Sequence, residues 1–141
     1  MVYNFDGFNY LIRLDKGEQL HEALHKFVEE TDIEGAWLNG LGGALGMTLG
    51  FYDLDQQDYQ LKAFEGLFEI ANLTGNIAFD EHGKPVFHIH GTFGDREYKT
   101  YSGHVKDLTA AATVELFIHR AYQPTKRKTD PDVGLPTLDI S

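Results

Sequence analysis

The sequence predicts an α+β fold: a single domain, mainly antiparallel β-sheet, with one principal α-helix. Three observations lead there. Apolar residues alternate with polar ones over many short stretches, helical spacing appears in one segment, and 141 residues suit one compact core. A doubly wound parallel sheet needs a helix between successive strands, and this chain does not have them.

Phe8 to Leu14 reads as the first strand, with Phe8, Tyr10, Ile12 and Leu14 sharing one face. Asp15-Lys16-Gly17 is a turn, and Asp15 can cap the helix that follows. From Glu18 to Glu30, Leu20, Ala23, Leu24, Phe27 and Val28 fall at helical spacing and predict one buried stripe. His21 and His25 lie one turn apart on that helix. Such a pair can ligate metal, but the solvated flank of the stripe is the reading preferred here.

Ile33 to Leu38 and Leu45 to Leu54 predict two further strands. Between them, Gly40-Leu41-Gly42-Gly43-Ala44-Leu45-Gly46 resembles a dinucleotide-binding fingerprint but fails it, because Leu45 occupies the third required glycine position. The segment reads instead as a tight, close-packed turn. Tyr59 to Phe64, Leu67 to Leu73 and Asn76 to Phe79 follow as strands, with Gly66 and Gly75 as bends or bulges. Val86 to Phe93 and Tyr98 to Val105 predict a hairpin, and Ala111 to Ala121 a last strand. Residues 1–123 therefore form the domain, and 124–141, with three of the four prolines, an extended or loosely docked tail.

Composition excludes several function classes. The chain has no cysteine, which removes disulfides, thiolate metal sites and cysteine nucleophiles. No apolar run approaches the roughly 20 residues of a membrane-spanning helix, and the amino terminus lacks the pattern of a signal peptide. A cytoplasmic protein with no membrane partner is the expectation. The net charge is −10, with 9 Lys/Arg against 19 Asp/Glu before Pro124. Nucleic-acid binding draws on neutralised phosphates, so the charge disfavours it. Lys126-Arg127-Lys128 is the basic cluster of the tail.

The seven histidines carry most of the remaining information. In Val86-Phe87-His88-Ile89-His90-Gly91-Thr92-Phe93, alternation sends Phe87, Ile89 and Phe93 one way and His88, His90 and Thr92 the other. Two histidines at that spacing can converge on one ion. His104, on the neighbouring strand, can complete a three-nitrogen face suited to zinc with a fourth position open. The hairpin loop must then hold an odd number of residues, or a bulge at Gly103 must restore the register. A three-residue loop at Asp95-Arg96-Glu97 would set His88 opposite His104. The competing reading is three polar residues on a solvated or subunit-facing surface. His82, in a turn, and His119, on the last strand, do not join the cluster by spacing.

These segments together resemble the plants-and-prokaryotes-conserved (PPC) domain, a domain of unknown function whose prokaryotic members are often labelled predicted DNA-binding proteins. The matching stretches are Arg13 to Glu18, Leu38 to Leu45, Gly50 to Asp53, Phe68 to Ile70, Leu73 to Ile77, His88 to His90, Gly103 to Val105 and Ala111 to Glu115. Their order and spacing carry the likeness over about Tyr10 to Ala121. The resemblance implies a homotrimer, and it implies that His88, His90 and His104 are the metal ligands. Asn39 and Asn72 stand where the family more usually has serine, and the AT-hook that reads DNA in the plant relatives is missing.

Three functional readings result. The first is a trimeric domain that binds a divalent metal, zinc foremost, and offers a pocket to a small-molecule ligand. The second is the DNA-binding or regulatory protein of the family label. The third is a small metal-dependent enzyme in which Glu69, Glu115 or Asp53 serves as general base.

Overall fold

Eight strands and one helix follow one another as β1 (Val2–Phe5), β2 (Asn9–Asp15), α1 (Leu20–Glu30), β3 (Ala36–Asp53), β4 (Asp58–Phe79), β5 (Pro85–Gly94), β6 (Thr100–Arg120), β7 (Lys126–Asp130) and β8 (Leu135–Asp139). This is a computed structural model, and it describes residues 1–140. The α+β architecture with one helix is the expected one. Pairing is antiparallel throughout except for a single parallel bridge between Phe79 and Lys126.

Strands β3, β4, β5 and β6 pair in a closed cycle, each bonded to the next and β6 back to β3. Closure leaves none of these four with a long free edge. β2 adds to the outer half of β6 and β1 to β2. Helix α1 lays Leu20, Ala23, Leu24 and Phe27 into the core, beside Ile12 and Leu14 of β2 and Val114, Leu116 and Ile118 of β6. Each fully buried leucine, isoleucine, valine or phenylalanine among these contributes about 1.5–3 kcal/mol. Val28 is only partly buried at the margin of the stripe.

Three local expectations are corrected. The helix begins at Leu20, with Gln19 as its N-cap and no side-chain capping bond. Asp15 caps nothing; it accepts from Arg13 Nε at 2.9 Å, while Glu18 accepts the Asp15 amide at 2.7 Å and pairs with the terminal ammonium. The glycine-rich segment is no turn but the middle of β3. Bulges between Gly40 and Gly42 and between Leu45 and Met47 bend the strand there without ending it. Close packing was the correct part of that reading, since a Cβ on Gly42 would lie 2.2 Å from the Thr113 carbonyl oxygen.

Several predicted strands are likewise halves of longer ones. Two merge into β3, three into β4 and two into β6. The segment after Pro124 forms the hairpin β7–β8, and Ser141, the end of the predicted tail, lies outside the described residues. The hairpin is tied back to the β3–β4 arm: Tyr52 Oη donates to Val133 O at 2.7 Å, and Gln57 Nε2 to Asp132 O at 3.1 Å. Among the described residues, no helix is long and apolar enough to cross a membrane.

Candidate metal centre

β5 buries Phe87, Ile89, Gly91 and Phe93 and turns His88, His90 and Thr92 outward, as alternation requires. β6 does the same across the hairpin, with Val105 buried and His104 on the histidine side. His90 pairs with His104, not His88 as the three-residue loop at Asp95 predicted. The loop does hold three residues, but it is Arg96-Glu97-Tyr98, closed by the Asp95 amide bonding Lys99 O at 3.0 Å. Asp95 Oδ1 explains the choice, because it collects the amides of Glu97 and Lys99, and Tyr98 accepts a left-handed φ of 60°. The loop length stays odd, so the shift leaves all three histidines on one face and needs no bulge at Gly103.

The three rings form a triangle with centroids 5.1, 5.5 and 5.7 Å apart. One nitrogen from each lies within 4.8 Å of the others, so small side-chain rotations bring all three to one ion. His104 Nδ1 is buried with no hydrogen-bond partner among the described residues, an orphaned ring nitrogen that an ion would satisfy if unprotonated and a nearby acceptor if protonated. This set of neutral nitrogens fits zinc and related divalent ions. No carboxylate joins the cluster among the described residues. Asp53, one candidate general base, accepts the amides of Asp55 and Gln56 and the side chain of Gln60 at the far end of β3. Glu69 is exposed opposite Gly94, and Glu115 pairs across to Arg13 and Leu41.

Sequence reasoning missed what surrounds the histidines. Tyr59 of β4 stacks on His104 with centroids 4.7 Å apart and an interplanar angle of 29°. Gly50, opposite His104 on β3, makes this possible, since a Cβ there would approach Tyr59 Cδ1 to 2.8 Å. Arg127 of β7 is buried beside His88, and its Nη2 donates to Asn76 Oδ1 at 2.9 Å and His88 Nδ1 at 3.2 Å. Its Nη1 donates to Pro136 O. The basic cluster of the tail is therefore split: Lys126 and Lys128 face solvent and Arg127 faces the site. Strand alternation over the three residues was the signal for this, hidden by their shared charge.

The other histidines lie outside the cluster, His82 and His119 as their spacing indicated. His25 is exposed and His21 half-buried; both pack edge-on against Phe87, and His21 lies 3.5 Å from Asp107. His82 sits in an exposed turn, and His119 lies against Phe117.

Burial is the main reason the His104 pKa is pushed down to about 4, with His88, His90, His21 and Lys106 adding repulsion. His88 is lowered by burial first, then by Arg127 and His90. At neutral pH both rings are thus neutral and able to ligate. Proton competition at His88 and His104 sets in at lower pH than the ordinary imidazole value of about 6.5 suggests. The same depression has a consequence for folding. Above about pH 6.5 the His104 ring is neutral in both states; below it the unfolded chain gains a proton that the folded one refuses until about pH 4. Metal-free protein should lose about 2 kcal/mol across that window, a figure discounted for partial exposure. Urea unfolding with EDTA should show a His104→Gln variant with a flatter pH dependence between those limits. An unchanged slope would remove His104 as the cause.

The model of the Plants and Prokaryotes Conserved (PCC) domain matches residues 3–121. Among solved structures, the chain is similar to a protein of Bacteroides thetaiotaomicron that carries a provisional DNA-binding label. The two are 28% identical, with 98% of this chain and 96% of that one covered and a TM-score of 0.92. A Ralstonia eutropha protein with the same provisional label is 30% identical, over 99% and 96% of the two chains, with a TM-score of 0.91. A protein of Archaeoglobus fulgidus described as metal-containing is 28% identical over 98% of each chain, with a TM-score of 0.84. No curated protein matches the chain.

Proposed function

The chain belongs to the Plants and Prokaryotes Conserved (PCC) domain family, and from that premise we propose that it is a homotrimeric domain that binds a divalent metal, zinc foremost, through His88, His90 and His104. The observation that carries this is the convergence of three imidazoles, one with a buried nitrogen that has no partner among the described residues. The metal-containing relative from Archaeoglobus fulgidus supports it. The ion would supply a Lewis-acid centre. The chain itself supplies three neutral donors, a stacked Tyr59 that fixes the His104 ring, and a cationic Arg127 at the margin. Elemental analysis of the purified protein should find one divalent ion per chain. Protein that stays metal-free after incubation with zinc would overturn the reading.

Assembly is supported by the outer face of the sheet. Leu11 and Leu41 are each more than half exposed on β2 and β3, where they line a groove of about 770 Å³ together with Asn39, Asn72 and Phe117, and Trp37 of β3 is half exposed nearby along the strand. A contiguous apolar patch of this kind marks an interaction surface. The groove also offers space to a small-molecule ligand.

The DNA-binding reading draws on the labels of the relatives, and the charge opposes it. With Arg127 turned inward, two exposed lysines remain of the tail's basic cluster. They support a salt slope no steeper than about −2. Fluorescence anisotropy with duplex DNA in roughly 0.15 M salt is expected to show no tight complex, and sequence-selective binding would restore the second reading.

A further inference from the structure

Arg127 is 6% exposed, and the acceptors of its hydrogen bonds are all neutral: the Asn76 amide, the Pro136 carbonyl and His88 Nδ1. Its Nε is buried with no hydrogen-bond partner among the described residues. A buried cation held only by neutral groups is poorly compensated, and an anion nearby would stabilise it.

The bond to His88 also conflicts with metal ligation. A neutral imidazole carries one proton on its two ring nitrogens. With Arg127 donating to Nδ1, that proton sits on Nε2. A histidine that gives one nitrogen to an ion carries its proton on the other. His88 therefore cannot hold an ion and accept from Arg127 at once, whichever nitrogen it uses.

We propose that loading the histidine triad with a divalent ion releases the Arg127 guanidinium from His88, and that the freed N–H groups bind a small carboxylate or phosphate oxyanion beside the ion. The inference rests on the metal reading above and names the ligand class of that site. Three neutral donors leave the full double charge of the ion in place, and no carboxylate joins the cluster among the described residues. The standing charges that act on His88 and His104 are those of Arg127 and Lys106, both positive. The exposed His90 leaves that side of the site open to solvent. An oxyanion seated between the ion and Arg127 offsets both charges, and the planar fork of arginine suits two parallel bonds to it.

Cobalt(II) serves as the test ion because its visible bands report on its ligands. Binding of cobalt alone is measured first; absence of bands overturns the metal reading and this inference with it. The ¹⁵N signals of the Arg127 guanidinium are then followed in diamagnetic wild-type protein loaded with zinc. They should move on loading and again on adding acetate or inorganic phosphate; signals that do not move overturn this inference alone. In cobalt-loaded protein, the same anions should shift the visible bands. Acetate acting at the lower concentration assigns the site to carboxylates, and phosphate acting at the lower concentration assigns it to phosphates. In protein saturated with cobalt, Arg127→Gln should raise the half-saturating anion concentration at least tenfold, and Arg127→Lys should recover part of the loss. A glutamine variant that binds the anions as tightly as the wild type overturns the inference. The wild-type guanidinium signals keep the test decisive should that variant fail to fold.

Discussion

Replacing His104 with alanine is expected to weaken zinc binding by at least about 100-fold, and the His88/His90/His104 triple alanine variant should bind none at the site. The magnitude follows from how few donors the site has. Among the described residues three imidazoles make up the cluster, with no carboxylate to take over when one is lost. His104 is the member contributed by β6, so its loss leaves only the pair two residues apart on β5. Two such donors hold an ion poorly, and the remaining positions fall to solvent. His21→Ala is the control, because that ring pairs with Asp107 and packs against Phe87 outside the cluster. Isothermal titration of zinc into protein stripped of metal separates the cases. Equal binding by wild type and triple variant would reduce the histidines to surface residues. Thermal unfolding must accompany the titration, since His104→Ala also unstacks Tyr59.

Legibility followed the range of the interactions. The helix was readable because its stripe is a local pattern, and Leu20, Ala23, Leu24 and Phe27 are buried as their spacing requires. The histidine face was readable for the same reason, since period-two alternation and loop parity decide sidedness without tertiary detail. Strand lengths were not. Gly42 and Gly46 look like punctuation, yet their left-handed backbone serves bulges that carry β3 around the closed cycle. β1 was invisible because all four of its residues are exposed, leaving no alternation to detect.

The residues that dress the metal site reach it from far along the chain. Arg127 lies 39 residues from His88 and 51 from Asn76, its two side-chain partners. Tyr59 reaches His104 only because β3 joins them through Gly50. Such contacts exist only once the sheet closes. The three consecutive basic residues of the tail read as one patch, whereas the hairpin divides them between solvent and core.

Leu41→Asp is expected to convert the proposed homotrimer into single chains. Leu41 sits on β3 across from Glu115, which in turn pairs with Arg13, and the neighbouring row runs from Asn39 through Phe117 to Leu11. The rows place Leu11, Leu41 and Phe117 together, with Trp37 on the next row beside His119. A monomer gains nothing from leaving so much apolar surface in water, whereas a second copy covers it at about 25 cal/mol per Å². In a cyclic trimer each chain uses two different patches, so one substitution is repeated at all three interfaces. Burying an unpaired carboxylate, already facing Glu115, costs several kcal/mol at each of them. Association should therefore fall by well over about 100-fold, while the fold is retained because Leu41 is 54% exposed and contributes little to the core. Sedimentation equilibrium should find three chains for the wild type and one for the variant. A wild-type mass of one or two chains would rule out the trimer, and a variant that still sediments as three would place the interface on another face.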